Sequence, residues 1–168
     1  MGMGMTHKQK VDMANKRGID LPLEMLERDI VAVYGVFAKK ENEEFCIYVG
    51  KATNLRARLL GSSSGHIHLY LNNNVEKLVP MLIDQHLEAG YRIEARILEE
   101  VDYQDSSFSR AAHRLAFAEL KWIVDMQKDG LCFLEGWTNV RGLLRNRSIG
   151  IITKYGGVPC RRLKVEVI

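Results

Sequence analysis

The sequence predicts an α/β protein: one domain in which a small three-stranded sheet, mixed or antiparallel, is flanked by helices. Segments rich in β-branched and aromatic residues alternate with segments of helical periodicity, in the order strand, strand, helix, helix, strand, helix. The length of 168 residues suits one domain that buries its core without disulfides. A composition of 46% hydrophobic and 27% charged residues excludes a disordered chain.

The predicted sheet begins with a hairpin. Residues 1–29 are interpreted as a peripheral helical segment that precedes it. Residues 30–38, IVAVYGVFA, have the composition of a strand, and residues 39–44, KKENEE, that of a polar turn. Residues 45–49 form the second strand. Because so short a turn joins them, the two strands are expected to pair antiparallel.

A short helix is predicted directly after the hairpin. Thr53 or Asn54 can cap it, since both side chains accept a hydrogen bond from a free backbone N–H group. The helix runs to Leu60. Residues 61–65, GSSSG, are then predicted to form a flexible loop.

The second half of the domain supplies two helices and the third strand. Residues 74–89 have the apolar spacing of an amphipathic helix. Pro80 within them either kinks this helix or moves its start to about position 79. Residues 91–98 alternate as a strand, and residues 107–128 form a long helix.

The charge of the chain is unevenly distributed. Residues 1–29 are predicted to form an N-terminal helical extension with no net charge. Residues 30–138 carry a net charge of −3, and residues 139–168 carry +6. We place the main domain at residues 30–142 and a basic C-terminal extension at 143–168. Such a basic segment is either a contact surface for a polyanion or a solvated tail.

Several classes of protein are excluded or disfavoured. The longest apolar stretch is about six residues, and a membrane-spanning helix needs roughly 20. The first residues, MGMGMTHKQK, have no apolar segment of a secretory signal. Cys46, Cys132 and Cys160 are odd in number and too widely spaced for a disulfide framework or a metal knuckle. A cytoplasmic protein without membrane contact is therefore expected.

One carboxylate lies at an unexpected position on the long helix. At 100° per residue, Glu119 lies within about 20° of Ala112 and Met126 and within about 40° of Leu115 and Ile123. A carboxylate in the middle of an apolar stripe is unfavourable unless it is paired or binds a metal. Periodicity leaves three interpretations open: a metal ligand or catalytic group, a salt bridge in the core, or a glutamate that faces a groove.

The segment IYVGKATNLRARLLG, residues 47–61, joins the hairpin to the next helix. Its Gly50-Lys51 pair is also part of the phosphate-binding P-loop motif. That motif requires a glycine at position 45 and serine or threonine at position 52. The chain has Phe45 and Ala52 there, so the P-loop interpretation is rejected.

Taken singly, the polar and aromatic residues of this region have ordinary interpretations. Tyr34 and Tyr48 could be strand aromatics, and Arg56 and Arg58 could belong to a solvated helix face. Asn139 could be a turn residue.

Taken together, these motifs resemble the GIY-YIG nuclease family over roughly residues 30–142. The first half-motif corresponds to residues 32–34, AVY, and the second to residues 48–50, YVG. The stretch YVGKATNLRARL is similar to the N-terminal nuclease domain of the excision-repair incision subunit. ILEEVDY at 97–103 and ELKWI at 119–123 are similar to intron homing endonucleases, and the asparagine near the end of the module matches Asn139 in TNVRG.

The resemblance implies a metal-dependent endonuclease that hydrolyses the phosphodiester bonds of DNA through a tyrosine-activated water. Tyr34 would be the phenol that accepts or relays a proton from the attacking water. Tyr48 would donate or accept a hydrogen bond near it. Lys51 would stabilise the phenolate, since an adjacent cation favours the anion of a tyrosine.

The other implied residues bind the phosphate and the metal. Arg58 would hold the scissile phosphate, and Arg56 is the weaker candidate for that contact. Glu119 would be the sole protein ligand of one Mg²⁺ or Mn²⁺, which fits the preference of Mg²⁺ for one carboxylate and several waters. Asn139 would orient the site.

The sequence departs from the family at two places. Ala32 replaces the glycine of the first half-motif. Many members have a histidine four residues after the arginine, where this chain has Ser62. His66 and His68 are candidate substitutes that would contact the nucleic acid, although histidines in a polar loop are more often surface residues.

The resemblance implies DNA as the partner, and the acidic main domain leaves most phosphate contacts to the basic C-terminal segment. The predicted contacts are Arg141 at the end of the main domain and Arg145, Arg147, Arg161 and Arg162 in the extension. A single site cuts one strand, so double-strand cleavage requires a homodimer or sequential nicks. The alternative function is a catalytically weak nucleic-acid-binding module on the same scaffold.

Overall fold

The computed structural model describes residues 5–104 and 107–128. The elements of this part, in chain order, are α1 (His7–Lys16), β1 (Ile19–Asp20), α2 (Glu24–Glu27), β2 (Ala32–Lys40), β3 (Glu43–Ala52), α3 (Leu55–Leu60), α4 (His66–Leu71), α5 (Leu78–Glu88), β4 (Arg92–Glu100) and α6 (Phe108–Lys128). None of these helices is long and apolar enough to cross a bilayer.

The predicted α/β class with a helix-flanked mixed sheet is confirmed, but the predicted number of strands is wrong. The sheet has four strands in the order β1-β4-β2-β3. β2 pairs antiparallel with both β3 and β4, and β1 pairs parallel with β4 through Ile19↔Ile93 and Asp20↔Glu94. β1 was missed because two residues are too few to show the alternation that marks a strand.

The N-terminal segment contributes to the core instead of lying at the periphery. Thr6 caps α1 in a reciprocal capping box with Gln9, which fixes the start of that helix. Val11 and Ala14 of α1 and Met25 of α2 are almost completely buried. Together with β1, these contacts join the segment to the sheet.

Helices cover both faces of the sheet. β2 is buried at seven successive positions, as expected of a central strand covered on both sides. We call the side of the sheet covered by α1–α5 the first face, and Tyr34 and Val36 contribute to the core there. Val33 and Phe37 contribute to a second core with Leu115 and other residues of α6, on the second face. The alternation of a strand therefore assigns each residue of β2 to one face.

Most predicted helices are confirmed with shifted bounds. Asn54 is the N-cap of α3, where its side chain accepts a hydrogen bond from the N–H group of Ala57 at 2.8 Å. α5 begins at Leu78, so Pro80 lies in its first turn and causes no kink. The helix α4 was not predicted, because its six residues are too few for a clear helical period.

Candidate active site

The hydroxyl of Tyr34 is the centre of a polar cluster on the first face. Tyr34 lies in the central strand β2 and its side chain is 0% exposed. Arg58 Nε donates a hydrogen bond to this hydroxyl at 3.3 Å. His66 Nε2 lies 3.0 Å from the same oxygen. The phenol, a guanidinium and an imidazole therefore meet at one atom.

Gly50 allows Tyr48 to join this cluster. Gly50 is the cross-strand partner of Tyr34. A Cβ at position 50 would lie 2.5 Å from Cε1 and 2.7 Å from the hydroxyl oxygen of Tyr48. Because Gly50 has none, the Tyr48 ring lies over its backbone, with its centroid 6.0 Å from that of Tyr34. In the segment YVG, the missing side chain of Gly50 therefore makes room for the Tyr48 ring beside Tyr34.

The substitution Gly50→Ala is expected to lower the free energy of unfolding by about 1–3 kcal/mol, because an extra methyl group in a packed core displaces its neighbours. Urea unfolding of the wild type and the variant measures this. In a Tyr48→Ala background the same substitution should be nearly neutral, since the obstructing ring is gone. An equal loss in both backgrounds would show that Tyr48 is not the obstacle.

Two short helices bring Arg58 and His66 to Tyr34. The cap at Asn54 sets the direction of α3, which carries Arg58. The Arg58 side chain is partly buried. His66 begins α4 and is only 7% exposed, with its ring at the edge of the Tyr48 ring. The expectation that His66 lies on a surface loop is therefore wrong. The apolar residues that follow it in α4 bury this short helix against the core.

Burial keeps both Tyr34 and His66 neutral. Burial, and to a smaller extent Tyr48, raises the pKa of Tyr34 far above its usual range, while Arg58 opposes this shift. Burial, followed by the positive charges of Arg58 and Lys77, lowers the pKa of His66 to about 3. Arg58 can only donate, so the phenol accepts from it and can direct its own proton to His66 Nε2. His66 Nδ1 is buried and has no hydrogen-bond partner among the described residues.

The low pKa of His66 makes folding stability depend on pH. An unfolded histidine has a pKa of 6.5, so between pH 6.5 and about 3 the unfolded state binds more protons than the folded state. The free energy of unfolding should therefore fall as the pH is lowered through this range.

Replacing His66 by glutamine removes this contribution, so the stability difference between wild type and His66→Gln should change below pH 6.5. Urea titrations at several pH values measure it. His113→Gln is the control, because His113 is exposed on α6. Parallel stability curves for the wild type and His66→Gln would contradict the assignment of a neutral, buried imidazole.

Glu119 and Lys51 form a second polar cluster, on the second face of the sheet. Lys51 Nζ donates to Glu119 Oε2 at 2.8 Å. The Glu119 side chain is 17% exposed and that of Lys51 is 44% exposed. In β3, Lys51 pairs with Val33, whereas its neighbour Gly50 pairs with Tyr34, so adjacent positions project to opposite faces. Among the described residues, no hydrogen bond or ion pair joins Lys51 or Glu119 to the Tyr34 cluster.

The donor set at Glu119 meets the minimum that Mg²⁺ requires. Mg²⁺ is often bound by one or two carboxylates, with waters and phosphate oxygens completing the octahedron. Glu119 supplies one carboxylate that keeps some access to solvent. Within residues 5–104 and 107–128, no group of three or more His, Cys, Asp or Glu side chains could hold a metal. A divalent ion at Glu119 would have to displace the ammonium group of Lys51.

The remaining predicted residues lie elsewhere. Arg56 donates to Asp29 Oδ1 at 2.6 Å and to the carbonyl oxygen of Leu26 at 3.3 Å, and the described residues show no hydrogen bond between it and Tyr34. His68 is partly buried and contacts Asn72. The predicted contacts Asn139, Arg141, Arg145, Arg147, Arg161 and Arg162 lie outside the described residues.

Comparison of the chain with protein-family models, with curated proteins and with solved structures found no match.

Proposed function

We propose that this protein is a metal-dependent endonuclease that hydrolyses DNA phosphodiester bonds, with Tyr34 and Arg58 at its centre. The observation that carries the proposal is the meeting of Arg58 and His66 on the Tyr34 hydroxyl. The motif resemblance to GIY-YIG nucleases gives it independent support. A cytoplasmic location and DNA as the partner are part of the same proposal.

Arg58 is the phosphate ligand in this mechanism. A guanidinium has five N–H donors, and the hydrogen bond to Tyr34 uses one of them. Two of the others can bind two phosphate oxygens at once, in the bidentate geometry that arginine favours. Because Tyr34 is completely buried beneath this cluster, phosphate binding must draw Arg58 outward before a water can reach the phenol.

Tyr34 acts as a proton relay and not as a standing phenolate, because burial raises its pKa. The attacking water passes one proton to the Tyr34 oxygen while the phenol proton moves to His66 Nε2, whose pKa the negative charge of the bound phosphate would raise from about 3. The water oxygen bonds to phosphorus, the bond to the 3′ oxygen breaks, and that oxygen takes a proton from solvent, which leaves a 5′-phosphate and a 3′-hydroxyl. His66 then returns its proton to solvent. A divalent ion held by Glu119 would neutralise the charge that develops on the phosphate. Because Glu119 and the Tyr34 cluster lie on opposite faces of the sheet, this requires the DNA backbone to pass over the edge strand β3.

The second candidate function is a nucleic-acid-binding module that does not cut. Two observations favour it: Tyr34 has no exposed surface, and Glu119 is already paired with Lys51. In such a module both clusters would only hold the sheet to its helices.

Incubation of the protein with supercoiled plasmid and Mg²⁺ or Mn²⁺ separates the two functions. The endonuclease converts the plasmid to a nicked or linear form, and chelation of the metal stops the conversion. Plasmid that is retarded on a gel but never nicked, with either metal, supports the binding module. The ratio of nicked to linear product also reports whether the two strands are cut one after the other.

A further inference from the structure

Positive charge is concentrated on three helices that cover the first face of the sheet. We call α1 with the following Arg17, together with α3 and α4, the basic layer. Its basic residues are Lys8, Lys10, Lys16, Arg17, Arg56 and Arg58, and its one acidic residue is Asp12. The described part of the chain has equal numbers of basic and acidic residues. The excess on this layer is therefore balanced by an acidic excess on the rest of the domain.

Side-chain contacts join the three helices into one surface. Lys10 Nζ donates to the carbonyl oxygen of Leu60 at the end of α3, at 2.7 Å. The guanidinium of Arg17 lies 5.6 Å from the ring centroid of Tyr70 in α4. His7 is close enough to Lys10 and Arg56 for burial and these two charges to lower its pKa. The basic groups thus extend from α1 across to α3, the helix that carries Arg58.

The exposed cations of α1 and the following Arg17 have no acidic partner among the described residues, which is also true of Lys40 and Lys77 but not of most cations on the strands of the sheet. No carboxylate of the described residues forms an ion pair with Lys8, Lys16 or Arg17, and all three are exposed. Elsewhere in the described chain, ion pairs hold Arg28, Lys39, Lys51, Arg92, Arg96 and Lys121 against carboxylates. In the basic layer, Asp29 neutralises Arg56 alone. An array of unpaired cations is the surface that a polyanion binds with release of its counterions.

The exposed part of the basic layer is polar. The large apolar side chains that are exposed among the described residues lie at Leu23 and on α6, and none belongs to α1, α3 or α4. A surface that inserts into lipid needs apolar side chains between its cations. Exposed cations without apolar side chains between them suit the phosphates of a nucleic acid.

We propose that the basic layer, with α1 as its outer part, binds the phosphate backbone of DNA and leads one strand to Arg58. The inference rests on the proposed function in that the bound DNA is the substrate. It adds the N-terminal helix to the contact surface, whereas the sequence placed most contacts in the C-terminal segment. Backbone contacts of this kind position the duplex and carry no base specificity.

The test compares two charge-matched variants of the full-length protein. The first is Lys8→Gln, Lys16→Gln and Arg17→Gln combined. The control is Arg28→Gln, Arg92→Gln and Lys121→Gln combined, which removes the same charge from other surfaces. Binding of a short fluorescent DNA duplex is followed by anisotropy across a range of salt concentrations, with chelator present so that no strand is cut.

If each α1 cation contacts one phosphate, the slope of log K against log salt falls by about 2.7 in the first variant. The loss of affinity between 50 and 200 mM salt is then roughly 40-fold smaller than in the wild type. The control variant keeps the slope. Equal slopes in the wild type and both variants, or no binding of DNA by the wild type, would overturn the proposal.

Two further results separate this inference from the proposed endonuclease. Binding that depends on α1 without any nicking of plasmid leaves the basic layer in place and removes the catalytic function. Nicking that is unaffected by the α1 substitutions at every salt concentration removes the basic layer from DNA binding and leaves the catalytic function in place. Vesicles with anionic lipids serve as a competitor, and α1-dependent binding to them that displaces the duplex would assign the surface to membranes instead.

Discussion

Replacing Tyr34 by phenylalanine should slow DNA cleavage by about 10²- to 10⁴-fold, which is the usual contribution of one positioned proton-transfer group. The substitution removes only the hydroxyl, so the ring keeps its place in the core. Arg58 Nε and His66 Nε2 lose their common partner. We expect a stability loss of about 1–3 kcal/mol from the unsatisfied groups, too little to unfold a typical domain.

Single-turnover cleavage rates at saturating protein measure this effect separately from DNA affinity. Tyr91→Phe is the matched control, since Tyr91 is also buried and its hydroxyl donates to Glu43 at 3.3 Å, away from the cluster. The control should keep the wild-type rate. A Tyr34→Phe protein that cuts at the wild-type rate would remove Tyr34 from the mechanism and leave it as a core residue.

Replacing Glu119 by glutamine should abolish Mn²⁺ binding and reduce cleavage by more than the 10- to 100-fold that is typical when only an outer-shell partner of a metal is lost. Glutamine keeps the size of the side chain but removes the charge that attracts a divalent ion. Electron paramagnetic resonance of Mn²⁺ titrated into the protein measures binding without reference to activity. DNA affinity should be largely unchanged.

Lys51→Met distinguishes a metal ligand from a structural ion pair at Glu119. This substitution removes the same salt bridge by deleting its cation instead of its carboxylate. An ion pair this exposed contributes about 0–1 kcal/mol to stability. If Glu119 binds metal, Lys51→Met should keep or increase Mn²⁺ affinity, because a competing cation is gone. If neither variant differs from the wild type in Mn²⁺ binding, Glu119 is a structural partner of Lys51.

The elements that sequence predicts well are those long enough to repeat a helix or strand pattern several times and those bounded by a distinct turn. The hairpin strands and the long helix α6 were predicted because each has several residues of one pattern, and the cap of α3 was narrowed to Thr53 or Asn54. The strand β1 and the helix α4 are too short to show a period. They exist because their apolar residues complete a core that the rest of the chain builds, and sequence periodicity does not contain that information.

The burial of a side chain on its own helix or strand was more predictable from the sequence than its contacts with other elements. The helical wheel indicated a partly buried carboxylate at Glu119, and the structure agrees. Its partner Lys51 is 68 residues away, and periodicity identifies no tertiary partner. Likewise the polar GSSSG segment before His66 suggested a surface loop. The burial of His66 follows from the packing of α4, which only the folded chain defines.

The position of Tyr34 in β2 also determines which part of the site can move. β2 is hydrogen-bonded on both sides and covered on both faces, so its amide protons should exchange with solvent only when the whole domain unfolds. Arg58 and His66 lie on helices of six residues each, and buried residues such as Leu59 and Ile67 hold both helices in the core. The Arg58 side chain is the part of the cluster that keeps some exposure, so it can move without unpacking the core. Any motion that admits a substrate to the Tyr34 hydroxyl therefore begins at the Arg58 side chain.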